Sequence, residues 1–242
     1  MPTADPPKPR YRAEPDPVRL LDHDPDLLDA VPAEDAAAAR ATTLAPVIVA
    51  ERGPWRAPGA PATVPFVGLL VLEGMLARDV ALGEAECTEL IGPGDVMMPG
   101  EHDAAASSMP FAAALRVERS ARLAVLNGSF VRSCARWPGL TAAIVERTSR
   151  RSQALAMQLA ITFVTGTDVR LHALLWHLAD RWGRVEPAGV VLPVPLSHER
   201  LARLVRGRRP AISQGLKALT EQGLVERRPD GSWLLRGGPP AG

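Results

Sequence analysis

The fold of this 242-residue chain is decided by the stretch at residues 197–235, SHERLARLVRGRRPAISQGLKALTEQGLVERRPDGSWLL. Ser197 is a favourable N-cap for a first helix, because its hydroxyl can accept a hydrogen bond from the first turn. Leu201 and Leu204 give that helix an apolar face. Gly207 then marks a tight turn. The pattern predicts a short helix that ends at this turn.

A second helix is predicted from about Arg208 to Gln222. Ile212, Leu216 and Leu219 recur at spacings of four and three, which places them on one buried face. Pro210 falls in the first turn, where its missing N–H costs little. The opposite, exposed face contains Arg208, Arg209, Ser213, Gln214 and Lys217.

The exposed face has side chains suited to DNA. An arginine can donate two hydrogen bonds to guanine O6 and N7, and a glutamine can pair with adenine N6 and N7. We therefore predict that Arg208, Arg209 and Gln214 contact bases in the major groove. The predicted phosphate contacts are Ser197, His198, Ser213, Lys217, Arg227 and Arg228.

A hairpin follows the second helix. Residues 224–228 and 233–235 are predicted strands on either side of a Pro-Asp-Gly-Ser turn at residues 229–232. Two helices with a tight turn and a following hairpin are typical of a winged helix-turn-helix. The alternative is a helical pair that packs against another protein.

The charge distribution favours a polyanion as partner. Residues 196–236 contain nine Lys or Arg and four acidic residues, whereas residues 1–40 contain five Lys or Arg and nine acidic residues. A basic end on a nearly neutral chain indicates a nucleic acid partner for that end. The alternative is a basic face that is merely solvated.

The region before this stretch has three parts. Residues 1–17 contain six prolines and are predicted to be a disordered tail. From Phe66 the pattern is that of short strands separated by turns, which favours a small antiparallel sandwich or barrel. The predicted strands are 66–72, 75–82, 86–90, 112–117 and 123–126, with a turn at Gly92-Pro93-Gly94-Asp95.

A long helix is predicted over residues 140–165, which contain neither Pro nor Gly. A 26-residue helix is about 39 Å long and needs a partner along its length, so we expect it to form a dimer. Its predicted apolar stripe consists of Ile144, Leu155, Leu159 and Thr162, beside a basic part formed by Arg147, Arg150 and Arg151. A core-facing helix follows from Thr167 and ends at Gly183.

These predictions define an α+β chain. A tail at residues 1–17 precedes a β domain with short flanking helices at 18–138, a dimerisation helix at 139–166 and a winged helix-turn-helix at 167–238. Cys87 and Cys134 form no motif, and no stretch of about 18 apolar residues occurs. We expect a cytoplasmic protein without a signal peptide or a membrane span.

Catalysis and metal binding are not expected. The strand region 66–126 contains one histidine, His102, which is too few for a multi-histidine metal cup. The sequence also lacks a Gly-rich phosphate loop and a nucleophile–His–acid arrangement. A haem ligand among His23, His102 and His172 is left open.

The stretch at 197–235 resembles the winged helix-turn-helix of the Crp/Fnr superfamily of transcription regulators, named after the cyclic-AMP receptor and the fumarate-nitrate regulator. Residues 66–98 resemble the sensor β-roll of that family, with its Gly-Asp turn at Gly94-Asp95. Residues 140–165 resemble its dimer helix. The resemblance covers residues 60–235, and it implies a homodimer bound to a palindromic operator in double-stranded DNA, with RNA polymerase as a further partner.

The resemblance also assigns individual residues. Arg209 lies where the family has a base-reading arginine, and Ser197, His198 and Lys217 match positions that contact phosphate. Pro210 replaces the glutamate of the cyclic-AMP receptors, and Gln214 replaces a second arginine, so the operator is expected to differ. Arg206 replaces the usual turn glycine, with Gly207 one place later. Gly215 lies at a normally apolar position and is expected to weaken the helix by roughly 1 kcal/mol.

The sensor region departs further from the family. A cyclic-AMP site needs Gly-Glu after the Gly-Asp turn and Arg-Ser before the next strand, where this chain has Met97-Met98 and approximately Pro110-Phe111. The Gly100-Glu101 pair is displaced, and Arg119-Ser120 falls inside or after the strand. We therefore expect no cyclic-AMP control and no cofactor, and the effector is unknown. The alternative function is an architectural DNA-binding protein in which the β-roll is only a dimer scaffold.

Overall fold

The computed structural model describes residues 11–58, 66–98, 109 and 111–240. The chain is α+β, as predicted. It forms two compact units, of which one comprises residues up to Ala85 and Glu89–Arg151, and the other comprises Glu86–Thr88 and the residues from Ser152 onward. The division falls inside the long helix. None of the helices in the described ranges is long and apolar enough to cross a membrane.

The N-terminal unit is a β-roll with flanking helices. Its strands are β1 (Tyr11–Ala13), β2 (Val18–Arg19), β3 (Leu44–Ala45), β4 (Val47–Ala50), β5 (Gly53–Trp55), β6 (Phe66–Leu82), β7 (Ala85–Ile91), β8 (Val96–Met97) and β9 (Ala112–Asn127). Its helices are α1 (Leu20–His23), α2 (Ala36–Thr42), α3 (Gly128–Cys134) and the first half of α4 (Pro138–Phe163), with 3₁₀ helices at Pro25–Ala30 and Ala33–Asp35. The main sheet has the order β1-β4-β9-β6-β7, with β5 on β9 and β8 on β6, whereas β2 pairs with β3.

Two long strands form the centre of the roll. The sequence predicts breaks inside both, but β6 and β9 are continuous and pair antiparallel from Phe66 to Ala81. The predicted break at Gly74 is wrong because the glycine forms an irregularity within the strand. Its φ is +93°, and the register shifts on either side of it. A Cβ there would collide with the backbone of Ala121, so the glycine lets β9 pass close by.

The predicted tail is also partly wrong. Residues 1–10 lie outside the described residues, but Tyr11–Ala13 forms β1 and pairs with β4. Glu14 then accepts a 2.9 Å hydrogen bond from Arg122, which lowers the pKa of its carboxyl. Strand pairing needs no apolar side chains, because the backbone supplies the hydrogen bonds. The Pro-rich composition of residues 1–17 therefore led to the prediction of a tail, although Tyr11–Ala13 can pair as an edge strand through its backbone.

The interior of the roll is filled by apolar side chains. Leu69, Val71, Leu76, Met97 and Val117 are all completely buried there. A second cluster lies under the helices and includes the buried members Leu20, Leu21, Leu27, Phe130, Trp137, Leu140 and Ile144. At about 25 cal/mol per Å² of apolar surface, burial of this kind is the main source of stability for the unit.

The first half of α4 packs on the roll through two buried arginines. Arg151 donates bidentate hydrogen bonds of 2.6 and 3.0 Å to Glu89. Arg147 lies 2.6 Å from Asp24, and burial raises the pKa of that carboxyl despite the neighbouring guanidinium. Of the three arginines predicted to make part of the helix basic, Arg147 and Arg151 are therefore buried in ion pairs, whereas Arg150 is exposed.

The opposite side of α4 is exposed and uncharged. We call the following residues, which recur at alternating spacings of three and four, the seam: Ala142, Val145, Ser149, Ser152, Ala156, Leu159 and Phe163. Val145 is 61 % exposed, Leu159 58 % and Phe163 75 %. The predicted stripe is wrong in mixing the two sides, because Ile144 is buried with the core and Leu159 lies on the seam.

The C-terminal unit contains three helices and a small sheet. Its elements after α4 are α5 (Thr167–Trp182), β10 (Arg184–Glu186), β11 (Gly189–Leu192), α6 (His198–Leu204), α7 (Arg209–Glu221), β12 (Val225–Arg227) and β13 (Trp233–Leu235). The sheet order is β10-β11-β13-β12, and its pairings are antiparallel. The hairpin of β10 and β11 was not predicted, whereas α6, α7, β12 and β13 lie where the sequence placed them.

Candidate nucleic-acid interface

Helix α7 has the predicted bounds and faces. Arg208 is its N-cap in extended conformation, and Pro210 lies in its first turn. Ile212 is completely buried, and Leu216 and Leu219 are buried beside it. The five side chains predicted to face outward, Arg208, Arg209, Ser213, Gln214 and Lys217, are all exposed. The helix therefore presents one continuous polar and basic surface.

Gly215 is buried where α7 crosses α5. A Cβ on Gly215 would lie 2.9 Å from Leu171 Cδ1 and 3.3 Å from the backbone N and Cα of Asp168. Leu171 is itself completely buried and has little room to move. The glycine thus permits a close helix crossing. The sequence had indicated only that Gly215 weakens α7.

Replacing Gly215 by alanine is expected to destabilise the C-terminal unit by about 1 kcal/mol. The helix gains about 1 kcal/mol of intrinsic propensity, but overpacking against Leu171 and Asp168 costs about 1–3 kcal/mol. Thermal unfolding checks this, with the exposed Thr220→Ala on the same helix as a control that should stabilise slightly. A clear rise in Tm for the Gly215 variant would show that the crossing is loosely packed.

Helix α6 is capped by Ser197 and is joined to α7 by a polar contact between His198 and Ser213. The Ser197 side chain accepts a 3.1 Å hydrogen bond from the Arg200 N–H, as expected of an N-cap. The His198 Nδ1 atom lies 3.0 Å from Ser213 Oγ, and that hydroxyl donates to the Arg209 carbonyl. Because the hydroxyl donates to that carbonyl, it accepts from Nδ1–H, and a contact from Nε2 to a phosphate then requires the cationic imidazolium, in which both ring nitrogens donate. Ser197, His198 and Ser213 are thus brought together near the start of both helices.

The turn between α6 and α7 has an unusual residue at its centre. The Gly207 N–H donates to Ala202 O and the Arg206 N–H to Arg203 O, which is the Schellman pattern of a helix end. That pattern needs a residue with positive φ, and here Arg206 takes it with φ +52°. A non-glycine residue in this conformation costs about 1–2 kcal/mol. The glycine expected at this position is missing from the sequence, and Arg206 was not among the predicted site residues.

The arginines of this region carry uncompensated charge. In the described part of the chain, Arg206, Arg208 and Arg209 are exposed and form no ion pair. The N-terminus of α7 adds a partial positive charge at the same place. Lys217, further along the helix, lies 3.7 Å from the carboxylate of Glu221, and both side chains are exposed. An exposed pair of this kind stabilises a helix by about 0.3–0.5 kcal/mol. The positive potential is therefore concentrated at the turn and the first turn of α7.

The two arginines of the predicted wing, Arg227 and Arg228, have different partners. Arg228 is half-buried and lies 3.1 Å from Glu186 of the unpredicted hairpin. The Arg227 guanidinium stacks 5.4 Å from the centre of the Trp233 ring and remains exposed. The turn between the strands is tied by Asp230, which accepts hydrogen bonds from the N–H and hydroxyl of Ser232, and these bonds lower the pKa of its carboxyl. Arg227 is thus freer than Arg228 to meet a phosphate.

The histidines named as candidate haem ligands lie in different parts of the chain. His172 is buried in α5, where its Nε2 atom accepts a 3.0 Å hydrogen bond from Trp176. His23 ends α1 in the other unit, and His102 lies outside the described residues. No group of three or more His, Cys, Asp or Glu residues suited to a metal was found within the described ranges.

Comparisons with known proteins agree with this geometry. Residues 169–236 match the model of the Crp-like helix-turn-helix domain. A search of curated proteins found no match. Among solved structures, a cyclic nucleotide-binding domain containing protein from Listeria monocytogenes is 19 % identical, with a TM-score of 0.61, over 88 % of this chain and 96 % of that one.

Two further structures are similar over most of their length. A CooA mutant from Carboxydothermus hydrogenoformans is 16 % identical, with a TM-score of 0.57, over 93 % of this chain and 94 % of that chain. A CRP-family transcriptional regulator from Thermus thermophilus is 20 % identical, with a TM-score of 0.53, over 78 % of this chain and 91 % of that chain. At these identities the likeness shows a shared fold.

The class of the interface is thereby defined. Residues 169–236 are similar to the Crp-like helix-turn-helix domain. The chain shares its fold with a CRP-family transcriptional regulator and with CooA over most of its length. The resemblance predicted from the sequence is confirmed.

Proposed function

We propose that this chain is a sequence-specific DNA-binding transcription regulator, not an enzyme, which acts as a homodimer with α7 in the major groove. The observation that carries the proposal is the cluster of Arg206, Arg208 and Arg209 at the turn and the start of α7, which form no ion pair with any described residue and lie within the match to the Crp-like helix-turn-helix domain. Uncompensated guanidinium groups at a helix N-terminus are suited to the phosphates and guanines at the edge of the groove.

Base contacts are assigned to the exposed side chains at the N-terminal end of α7. Arg209 is the first residue of the helix, and Gln214 lies on the same exposed face. In a helix-turn-helix this end of the second helix approaches the base edges. Arg208 is the third base-contact residue. Ser197, His198, Ser213, Lys217, Arg227 and Arg228 are proposed to contact phosphates.

The seam supports a dimer formed by two copies of α4. Its seven residues follow the a and d positions of a coiled coil, none of them is charged, and all are exposed in the single chain. In the first half of α4, the other side of the helix is already packed on the roll. A two-fold axis would pair each seam with itself and bury the exposed Val145, Leu159 and Phe163. Two α7 helices would then contact half-sites about 10 bp apart, as in other helix-turn-helix dimers.

We propose that cyclic AMP does not control this protein. Met97 is completely buried in the roll where the family has its Gly-Glu pair, and Arg119-Ser120 lies within β9. Gly100-Glu101 and Pro110 lie outside the described residues. Calorimetry with the purified protein is expected to show no stoichiometric heat on addition of cyclic AMP, and tight one-to-one binding would refute this part of the proposal.

A second candidate is an architectural DNA-binding protein. The filled apolar interior of the roll favours it, because such a roll can act as a dimer scaffold without sensing anything. The two candidates differ in their DNA targets, since an architectural protein needs no shared palindromic motif. The proposed setting of the regulator is the cytoplasm, with RNA polymerase as a further partner by analogy of fold.

Replacing Arg209 and Lys217 separately by alanine is expected to distinguish a contact to a base from a contact to a phosphate. Arg209→Ala should lose about 1–3 kcal/mol on the specific site and relax one base position. Lys217→Ala should weaken all sequences alike and reduce the slope of log K against log salt by about one per bound subunit. Fluorescence anisotropy on specific and scrambled duplexes measures both effects. Unchanged sequence preference in the Arg209 variant would remove Arg209 as a base contact.

A further inference from the structure

Arg206 combines two features that are unfavourable in the free protein. Its backbone adopts φ +52° at the position of the Schellman turn where glycine is preferred. Its exposed guanidinium is followed by Arg208 and Arg209, and no carboxylate pairs with any of the three in the described chain. Both the strained conformation and the mutual repulsion of the charges would be relieved by glycine.

The position of Arg206 indicates what offsets these costs. The turn leads directly into the first residues of α7, the end of the helix that approaches the groove in a helix-turn-helix. Neighbouring arginines on α6 and in the wing have acidic or aromatic partners: Arg203 pairs with Glu199, Arg227 stacks on Trp233, and Arg228 pairs with Glu186. The guanidinium of Arg206 is therefore available to an external anion, together with those of Arg208 and Arg209.

We propose that Arg206 is an additional phosphate-binding residue, which contacts the DNA backbone beside the recognition helix and contributes affinity irrespective of base sequence. The inference rests on the proposed function, and it identifies a contact made from the turn rather than from either helix. A phosphate is the expected partner because the turn precedes the base-contacting end of α7, and most protein–DNA hydrogen bonds go to phosphate and sugar.

The test compares Arg206→Gly with Arg206→Lys in the full-length protein. Glycine relieves the turn, so Tm of the C-terminal unit is expected to rise by about 4–8 °C. Affinity is expected to fall by the same factor on specific and scrambled duplexes, roughly tenfold at low salt, with the salt slope reduced by about one per bound subunit. Arg206→Lys keeps the positive charge and should retain both the Tm and the salt slope.

A matched control is Arg132→Gln, which removes a charge from an exposed position on α3 and should leave the salt slope unchanged. A higher Tm for Arg206→Gly with unchanged affinity and slope would overturn the inference, because Arg206 would then be only a strained turn residue. Loss of affinity confined to the specific duplex would also overturn it in favour of a base contact. If the wild-type protein binds no DNA, the proposed function fails and this inference fails with it.

Discussion

Replacing Glu89 by alanine is expected to destabilise the N-terminal unit by about 3–5 kcal/mol, because it removes a buried carboxylate that forms ion pairs with two arginines. Glu89 has a side chain only 5 % exposed, and it receives both arms of Arg151, whose side chain is 8 % exposed. A second arginine, Arg78, lies 2.9 Å from the same carboxylate. The substitution therefore removes a carboxylate that both arginines contact.

Thermal or denaturant unfolding of the Glu89→Ala protein measures this effect. Glu84→Ala is the matched control, since Glu84 is exposed in the turn between β6 and β7 and its loss should change stability by less than about 0.5 kcal/mol. Adding Arg151→Leu to the Glu89 variant should recover part of the lost stability, because it removes a buried charge that has lost its pairing with Glu89. Equal effects of Glu89→Ala and Glu84→Ala would show that the cluster is solvated rather than buried.

Replacing Leu159 by glutamate is expected to convert the protein from a dimer to a monomer. In a two-fold dimer each seam residue lies near its own copy, so the substitution removes about 1.5–3 kcal/mol of apolar burial per subunit and places two carboxylates together. The dimer dissociation constant should rise by at least about a hundredfold. DNA affinity should fall by about 10²–10⁴ as well, because the two half-sites are no longer bound together.

Light scattering after size-exclusion chromatography measures the oligomeric state of the Leu159 variant. Met157→Glu is the matched control, because Met157 is 55 % exposed on the same helix but lies outside the seam. The control is expected to remain dimeric with unchanged DNA affinity. A dimeric Leu159→Glu protein, or a monomeric Met157→Glu protein, would place the dimer contact elsewhere than on the seam.

The candidate interface was the most predictable part of the molecule. Helix α7 was predicted from Arg208 to Gln222 and spans Arg209–Glu221, since capping, apolar spacing and turn residues all lie within this one stretch. The hairpin of β10 and β11 was missed because its strands are only three and four residues long and Val185 is 89 % exposed, so the pattern has no clear alternation. The role of Glu186 beside Arg228 was missed with it.

The faces of α4 were less predictable because they depend on distant partners. Arg147 pairs with Asp24, 123 residues away, and Arg151 with Glu89, 62 residues away. A helical pattern alone treats such arginines as exposed, and it then assigns the apolar residues to a single stripe. In the structure the buried arginines belong to the packed side, and the exposed small and apolar residues form the seam. Pairing at this sequence separation requires the folded roll.

Selection of bound sequences from a randomised DNA pool would show whether α7 of a homodimer determines which DNA is bound. We expect enrichment of a two-fold symmetric motif with half-sites about 10 bp apart, and relaxation of one base in each half-site when Arg209 is replaced by alanine. A pool that yields no shared motif, or a motif unaffected by Arg209→Ala, would contradict the proposal that α7 of a homodimer determines which DNA is bound.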